Sequence, residues 1–301
     1  MAERLADTRW QDPAVLARIG NLELIARNVV DGFVSGQHRS IRLGQSIDFA
    51  EHRAYMPGDD LRRIDWRVFA RTDRLYVKEY EADTNANLCV MLDVSASMDY
   101  ASQAPSKLEY ACMLAACVLY LGRQQRDRVG LLSFADQILD YVPPAVRHYD
   151  TALHRLSALR KGRAGAFAEP LRAGAERLRQ RGVLVLISDL YHEPEALAAI
   201  LGELRLRGHD LIVFHLLDPA EIDFTFDQPT VFEDAETGEQ LVVNPVTLAA
   251  DYRAAMAAHT AALRQRIGAQ LVDYTLLRTD QPLDWGLWRY LTQRAAQQRV
   301  R

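Results

Sequence analysis

The stretch Asn87-Leu-Cys-Val-Met-Leu-Asp93-Val-Ser95-Ala-Ser97-Met-Asp-Tyr100 decides the fold of this chain. Its first part, Leu88 to Leu92, is too short for a helix and too apolar for an exposed strand, which predicts a strand buried on both faces of a parallel sheet. Asp93 then lies at the carboxyl end of that strand, where open α/β sheets bind their ligands. The side chains of Asp93, Ser95 and Ser97 place three oxygen ligands in one loop, and such ligands suit a hard cation such as Mg²⁺.

Downstream of this stretch, the chain alternates regularly between apolar strands and amphipathic helices. Strands are predicted at residues 88–93, 128–134, 183–188, 210–217 and 270–276, and helices at 106–122, 148–160, 168–181 and 194–207. Repeated strand–helix units of this length are typical of an α/β fold with a doubly wound, mainly parallel sheet and right-handed crossovers. A short strand at 138–142 is expected at the sheet edge, because Pro143 and Pro144 cannot donate to a ladder.

The N-terminal part of the chain has a different pattern. Residues 13–34 place apolar side chains at helical spacing, which predicts one or two helices that end near Gly32 or Gly36. Short strands are predicted between residues 36 and 56, and a short amphipathic helix at 61–71. Such short elements offer little core of their own, so we expect this segment to pack on the sheet as an α+β extension.

These patterns predict two domains. Residues 1–86 form the extension, and residues 87–301 form the α/β domain. The strand–helix order of the α/β domain is interrupted near residues 219–244, where a hairpin is predicted with its turn at Thr237-Gly238.

Composition and charge are ordinary for a globular protein. Of 301 residues, 49% are hydrophobic and 25% are charged, and the net charge of −4 creates no field that favours nucleic acid. The cysteines, Cys89, Cys112 and Cys117, show no C-x-x-C spacing, so neither a disulfide framework nor a zinc site is indicated. The N-terminus lacks the apolar core of a signal peptide and no run of 18 apolar residues occurs, which predicts a cytoplasmic protein without a membrane span.

Several segments resemble known families. Asp93-Val-Ser95-Ala-Ser97-Met resembles the D-x-S-x-S signature of von Willebrand factor A domains, whose doubly wound fold carries a metal-ion-dependent adhesion site. His38-Arg-Ser, the segment from Phe49 to Thr72 and Leu75-Tyr-Val-Lys-Glu-Tyr resemble the hallmark of a bacterial family, domain-of-unknown-function family 58. Its members tend to accompany MoxR-type AAA+ ATPases. The resemblance covers residues 17–217 well and the remainder more loosely.

The resemblance to von Willebrand factor A domains implies roles for individual residues. It implies that Ser95 and Ser97 coordinate Mg²⁺ directly and that Asp93 acts through water. It also implies that Asp189, at the end of a second buried strand, supplies a carboxylate from another loop. The threonine that a further loop normally supplies is replaced near Gly165, so one direct ligand is missing. Two serines and several waters still form an acceptable set for Mg²⁺, and a metal-free site stays open as an alternative.

A second polar cluster consists of Asp59, Asp60, Asp65 and Trp66, which follow a Pro-Gly turn. One interpretation is structural, with a turn and a helix start whose carboxylates pair with neighbouring arginines. The other is a contact with a partner protein.

No catalytic motif accompanies the strand-end residues. The sequence contains neither a G-x-S-x-G elbow nor a G-x-x-x-x-G-K-S/T phosphate loop, and Ser95 stands where aspartyl phosphatases have a second acid. We therefore interpret the protein as a non-enzymatic adaptor that presents this site to an acidic side chain of a MoxR-type AAA+ ATPase or its client. The alternatives are a metal-assisted phosphoester hydrolase and a structural module with a degenerate, metal-free site.

Overall fold

The computed structural model of the protein describes residues 12–41, 52–54, 76–78, 86–160, 167–178, 180–235 and 237–298. Contacts divide the chain into one unit of Met1–Asp31 with Ala86–Arg301 and a second unit of Gly32–Asn85. The domain boundary predicted between residues 86 and 87 stays a prediction. Four sequence predictions lie wholly or partly outside the described residues: the short strands over residues 42–51, the helix at 61–71, the cluster of Asp59, Asp60, Asp65 and Trp66, and the replacement near Gly165.

The strands of the described residues fall into one large sheet and two small ones. In chain order they are His52–Ala54 (β1), Tyr76–Lys78 (β2), Asn87–Asp93 (β3), Arg128–Phe134 (β4), Ile138–Ala145 (β5), Gly182–Ser188 (β6), Asp210–Leu217 (β7), Thr230–Glu233 (β8), Gln240–Val243 (β9) and Asp273–Arg278 (β10). The large sheet has the order β5-β4-β3-β6-β7-β10, in which only β5 runs antiparallel to its neighbour. Numbered within the sheet, this is the doubly wound order 3-2-1-4-5-6, which confirms the predicted α/β class.

Helices cover both faces of this sheet. In chain order they are Pro13–Ala17 (α1), Leu22–Ile41 (α2), Lys107–Gln124 (α3), Tyr149–Ala158 (α4), Ala168–Arg177 (α5), Pro194–Leu206 (α6), Pro219–Asp223 (α7), Pro245–Ala269 (α8) and Asp284–Gln298 (α9). One face of the sheet, which includes Met91 and Leu186, is buried against α5, α6 and the end of α8. On the other face α3 packs so closely that a Cβ at Gly122 would meet the Leu88 side chain at 2.6 Å. Among the described residues, no helix is both long and apolar enough to cross a membrane.

The N-terminal helices pack with the α/β unit as far as Asp31. Ile25, Val29 and Val30 of α2 are buried, and the side-chain amide of Gln124 in α3 donates to the Asp31 carboxylate at 3.1 Å. The predicted strand that begins at Gly36 is wrong for residues 36–41, because α2 continues through them. A glycine inside a helix costs only about 1 kcal/mol relative to alanine, which does not stop a helix anchored by a buried apolar stripe.

The second unit and the insertion each contain one antiparallel pair. In the second unit β1 pairs with β2, in the register His52 to Lys78. In the insertion β8 pairs with β9, which confirms the predicted hairpin. Gly238 lies in its turn with a φ of 74°, a left-handed conformation that glycine adopts without strain.

A matched pair of glycine substitutions tests the packing of the sheet edge. In Gly130→Ala, the new Cβ would lie 2.6 Å from the Val142 carbonyl oxygen of β5, and backbone cannot rotate away as a side chain can. We expect the free energy of unfolding to fall by about 1–3 kcal/mol in urea titrations. The control, Gly32→Ala, has open space around the new methyl within α2. It should raise the free energy of unfolding by about 0.5–1 kcal/mol, and equal effects of the two substitutions would contradict the packing described.

Candidate strand-end site

The candidate site lies where the chain reverses its direction of winding. β3 is flanked by β4 on one side and by β6 on the other, so the crevice between the carboxyl ends of β3 and β6 is the switch point of the sheet. Open α/β sheets bind ligands at this position. Asp93 ends β3 and Ser188 ends β6, which places their loops side by side.

Asp93 is held by hydrogen bonds to both carboxylate oxygens. Ser95 N–H donates to Oδ1 at 2.9 Å, and the Ser188 hydroxyl donates to Oδ2 at 2.6 Å. The Ser188 oxygen in turn accepts from the Leu190 N–H at 3.0 Å. Since Asp93 is only 2% exposed, these bonds set its orientation before any ligand arrives.

The two motif serines lie in front of this carboxylate. Ser95 precedes a short 3-10 helix at Ala96–Asp99, and its Oγ lies 3.2 Å from the Oγ of Ser97. Both side chains are half-buried. Adjacent octahedral ligands at about 2.1 Å from Mg²⁺ are roughly 3 Å apart, so the hydroxyl pair fits two neighbouring positions of such a cation.

A lysine that the sequence analysis did not select reaches the second carboxylate. Lys107 is fully buried, and its Nζ lies 2.8 Å from Asp189 Oδ2 and 2.6 Å from Glu221 Oε1. Asp189 is itself 2% exposed. The carboxylate that the family resemblance assigns to a metal site is therefore already paired with a cation of the chain.

Glu221 is brought to Lys107 by the short helix α7. Asp218 caps this helix by accepting from Ala220 N–H at 2.8 Å, and Glu221 completes a capping box by accepting from Asp218 N–H at 2.7 Å. Asp218 also accepts the backbone N–H of Ser102 at 2.9 Å. The loop after β3 and the loop after β7 are thus joined behind the site.

The charges of the site affect one another. Burial, together with the charge of Asp189, raises the pKa of Asp93 to about 6, although hydrogen bonds from Ser188 and Ser95 oppose the rise. Burial alone would lower the pKa of Lys107, but Asp189 and Glu221 outweigh it and the pKa is raised. Lys107 is therefore an ammonium at neutral pH, and Asp93 is the carboxylate without a paired cation in the contacts described.

The structure separates the predicted site residues into two groups. Asp93, Ser95 and Ser97 form one hydrogen-bonded group at the end of β3, and Asp189 lies behind it as the partner of Lys107. Whether these four residues bind a metal stays a prediction. One signal in the sequence pointed to Lys107: a lysine at the first position of an apolar helix opposes the helix dipole and needs nearby carboxylates.

The strand order defines a doubly wound α/β domain, and the polar loops at the carboxyl edge form a candidate binding site at its switch point. The chain belongs to the family described as "Protein of unknown function DUF58", whose model matches residues 51–266. It is also 31% identical over 284 residues to "Uncharacterized protein Rv1480" of Mycobacterium tuberculosis, a match that covers 91% of this chain and 87% of that protein.

Two solved structures are similar in fold. BatB from Bacteroides thetaiotaomicron superposes with a TM-score of 0.48 at 17% identity, over 70% of this chain and 99% of that one. The SpRpn10 VWA domain superposes with a TM-score of 0.42 at 13% identity, over 65% of this chain and 90% of that one. Similarities this distant do not indicate a function. The fold of this chain is assigned from its sheet order.

Proposed function

We propose that the protein is a non-enzymatic interaction module that binds a partner protein through its strand-end face. This face consists of Ser95, Ser97, Tyr100 and Tyr191. The two hydroxyls are half-buried, and the tyrosines are 36% and 39% exposed. The family and the von Willebrand factor A-like fold support an interaction module in general, and the face gives that module a specific surface.

The observation that carries the proposal is the contrast between this face and the residues beneath it. Asp93, Ser188 and Lys107 are buried and bonded, so the exposed side chains stand on a rigid base. A preorganised surface loses little conformational entropy on binding. Tyrosines flanking polar hydroxyls are typical of interface centres, because a tyrosine offers a large apolar area with one hydrogen-bonding group.

The partner class in this proposal is a MoxR-type AAA+ ATPase or its client. The resemblance of residues 49–72 to the family hallmark supports this class, as does the lack of a phosphate loop in the sequence of this chain. ATP hydrolysis would then be the work of the partner, and this chain would act as its adaptor. An ATP-dependent partner places the complex in the cytoplasm.

The ligand chemistry in this proposal is a carboxylate of the partner. Ser95 and Ser97 would hold Mg²⁺ through their hydroxyls, and Asp93 would accept a hydrogen bond from one of its waters. A bound divalent cation would attract the partner carboxylate directly, because the two groups carry opposite charges. The residues of this chain orient the hydroxyls, exclude bulk water from Asp93 and leave the outer side open to the partner.

A capture experiment tests the face. The MoxR-type ATPase of the same organism is immobilised, and binding of the wild type and of the Ser95→Ala/Ser97→Ala double variant is measured with Mg²⁺ and with EDTA. We expect the double variant to bind at least about tenfold more weakly, which corresponds to about 1.4 kcal/mol. EDTA should weaken the wild type by a similar factor.

A matched control is Ser157→Ala, which removes an exposed hydroxyl of α4 that donates within its own helix, to the Leu153 carbonyl at 2.9 Å. Its capture should equal that of the wild type. If the double variant were captured as well as the wild type, the strand-end face would have no part in binding the ATPase.

A further inference from the structure

Lys107 occupies a position that is energetically unfavourable for a lysine. It is the first residue of α3, where the helix dipole is unfavourable for a cation, and its side chain is completely buried. Moving an ammonium out of water costs several kcal/mol unless carboxylates and hydrogen bonds compensate. Asp189 and Glu221 provide that compensation at 2.8 and 2.6 Å.

Two tyrosines close the ammonium off from solvent. The Nζ of Lys107 lies 4.9 Å from the ring centroid of Tyr191 and 5.8 Å from that of Tyr100. Contacts within about 6 Å of an aromatic face add cation–π attraction. The Lys107 ammonium is thus part of the folded interior directly beneath the strand-end face. Because it is covalently attached, ions in solution cannot replace it.

Two kinds of positive charge can neutralise the carboxylates near Lys107: its own ammonium and a bound divalent ion. Asp93 and Asp189 are both 2% exposed, and the charge of Asp189 acts on Asp93. A divalent ion at Ser95 and Ser97 would be attracted by both carboxylates, but Lys107 already neutralises one of them. It would also repel an incoming cation, and such repulsion is strong where water is scarce.

We propose that Lys107 is the built-in counter-cation of this site, which keeps the free protein folded and its strand-end face ordered without a divalent ion. The free wild type then binds Mg²⁺ only weakly, and a partner carboxylate is needed to complete a stable site. This inference rests on the proposed function for the identity of the partner group. Its statements about the free protein stand on the Lys107 contacts alone.

Titration of the free protein tests the proposal. Isothermal titration calorimetry with MgCl₂ and MnCl₂ compares the wild type, Lys107→Met and Lys107→Met/Asp189→Asn, and thermal unfolding is measured for each in EDTA and in divalent salt. For the wild type we expect no binding tighter than about 1 mM, the weak end of protein sites for divalent ions, and no change in Tm.

The variants should separate the role of Lys107 from a general loss of packing. Lys107→Met leaves Asp189 and Glu221 without a counter-charge, so it should bind Mn²⁺ or Mg²⁺ at least about tenfold more tightly than the wild type and melt higher in divalent salt than in EDTA. Lys107→Met/Asp189→Asn also removes the Asp189 carboxylate, so it should show neither the tighter ion binding nor the higher Tm in divalent salt. If Lys107 only supported packing, Lys107→Met would have a lower Tm than the wild type, and divalent ions would not raise it.

Two outcomes overturn the proposal. One is wild-type binding of either ion tighter than about 1 mM in the absence of a partner. The other is a Lys107→Met protein with the same affinity and the same Tm shift as the wild type. If Lys107→Met does not fold in either buffer, the wild-type titration decides. None of these outcomes depends on the capture experiment, so failure of the ATPase interaction and failure of this inference are distinguishable.

Discussion

Lys107→Met is expected to lower the free energy of unfolding by about 3–5 kcal/mol in metal-free buffer, measured by urea denaturation. The substitution keeps an unbranched side chain of similar volume that is one atom shorter, so the loss arises mainly from charge. It leaves the carboxylates of Asp189 and Glu221 buried without the ammonium that lies 2.8 and 2.6 Å from them. Removing one partner of a buried pair costs more than the pair contributes, because the remaining charge has lost its water.

The matched control lies on the same helix. Arg123 makes an exposed ion pair with Asp150 at 3.7 Å, with side chains that are 50% and 84% exposed. Arg123→Met should therefore change the free energy of unfolding by about 1 kcal/mol or less. If Lys107→Met lowered the free energy of unfolding no more than Arg123→Met, the buried ion pairs of Lys107 would contribute nothing to stability.

His215 should make the folded state lose stability in acid. Its imidazole is completely buried in β7, and its Nδ1 lies 2.6 Å from the hydroxyl of Tyr274. Burial lowers the pKa of His215 to about 3, although the charge of Asp189 opposes the shift. Below its ordinary pKa of about 6.5, His215 binds a proton in the unfolded chain but not in the folded one. The unfolded state is therefore favoured increasingly as the pH falls, by roughly 3 kcal/mol between about pH 7 and about pH 4.

Asp93 acts in the opposite direction over part of the same range. Because its pKa is raised to about 6, the folded state binds its proton before the unfolded state does, and acidification stabilises the fold through this group. The pH dependence of the free energy of unfolding of the wild type is the sum of the His215 and Asp93 effects. His215→Asn keeps a polar atom near the Tyr274 hydroxyl and should remove the loss of stability in acid that His215 causes. Its stability relative to the wild type should therefore rise as the pH falls.

The measurement is the free energy of unfolding of both proteins in urea at several pH values from about 7 to about 4. His154→Asn is the control, because His154 is exposed on α4 and meets solvent in both states. It should follow the wild-type curve. A His215→Asn curve parallel to the wild type would show that this buried imidazole is not responsible for acid sensitivity.

The regular elements could be predicted because their signals are local. The buried run at β3 and the apolar runs at β4, β6 and β7 were found with ends within one residue of those observed. The short helix α7 was missed, since its five residues depend on the Asp218 cap more than on an apolar pattern. The continuation of α2 beyond Gly36 is not visible in the sequence pattern, because glycine commonly marks the end of a helix and here lies inside one.

The candidate site could be predicted only where its parts are adjacent in sequence. Asp93, Ser95 and Ser97 lie in one loop, and a strand end followed by hydroxyls is visible in the sequence. Lys107 and Glu221 come to Asp189 from other elements, separated from one another by 114 residues. No local pattern specifies that contact, although the unfavourable position of a lysine at a helix start was a usable sign.

By itself, the sequence determined the α/β class, the alternation of strands and helices and the position of a polar loop at the end of the central strand. These follow from apolar periodicity and turn chemistry, which act over a few residues. Only the tertiary structure decided which charges meet at that edge. The winding of the sheet brings the ends of β3, β6 and β7 together, and burial then requires Asp189, Glu221 and Lys107 to neutralise one another.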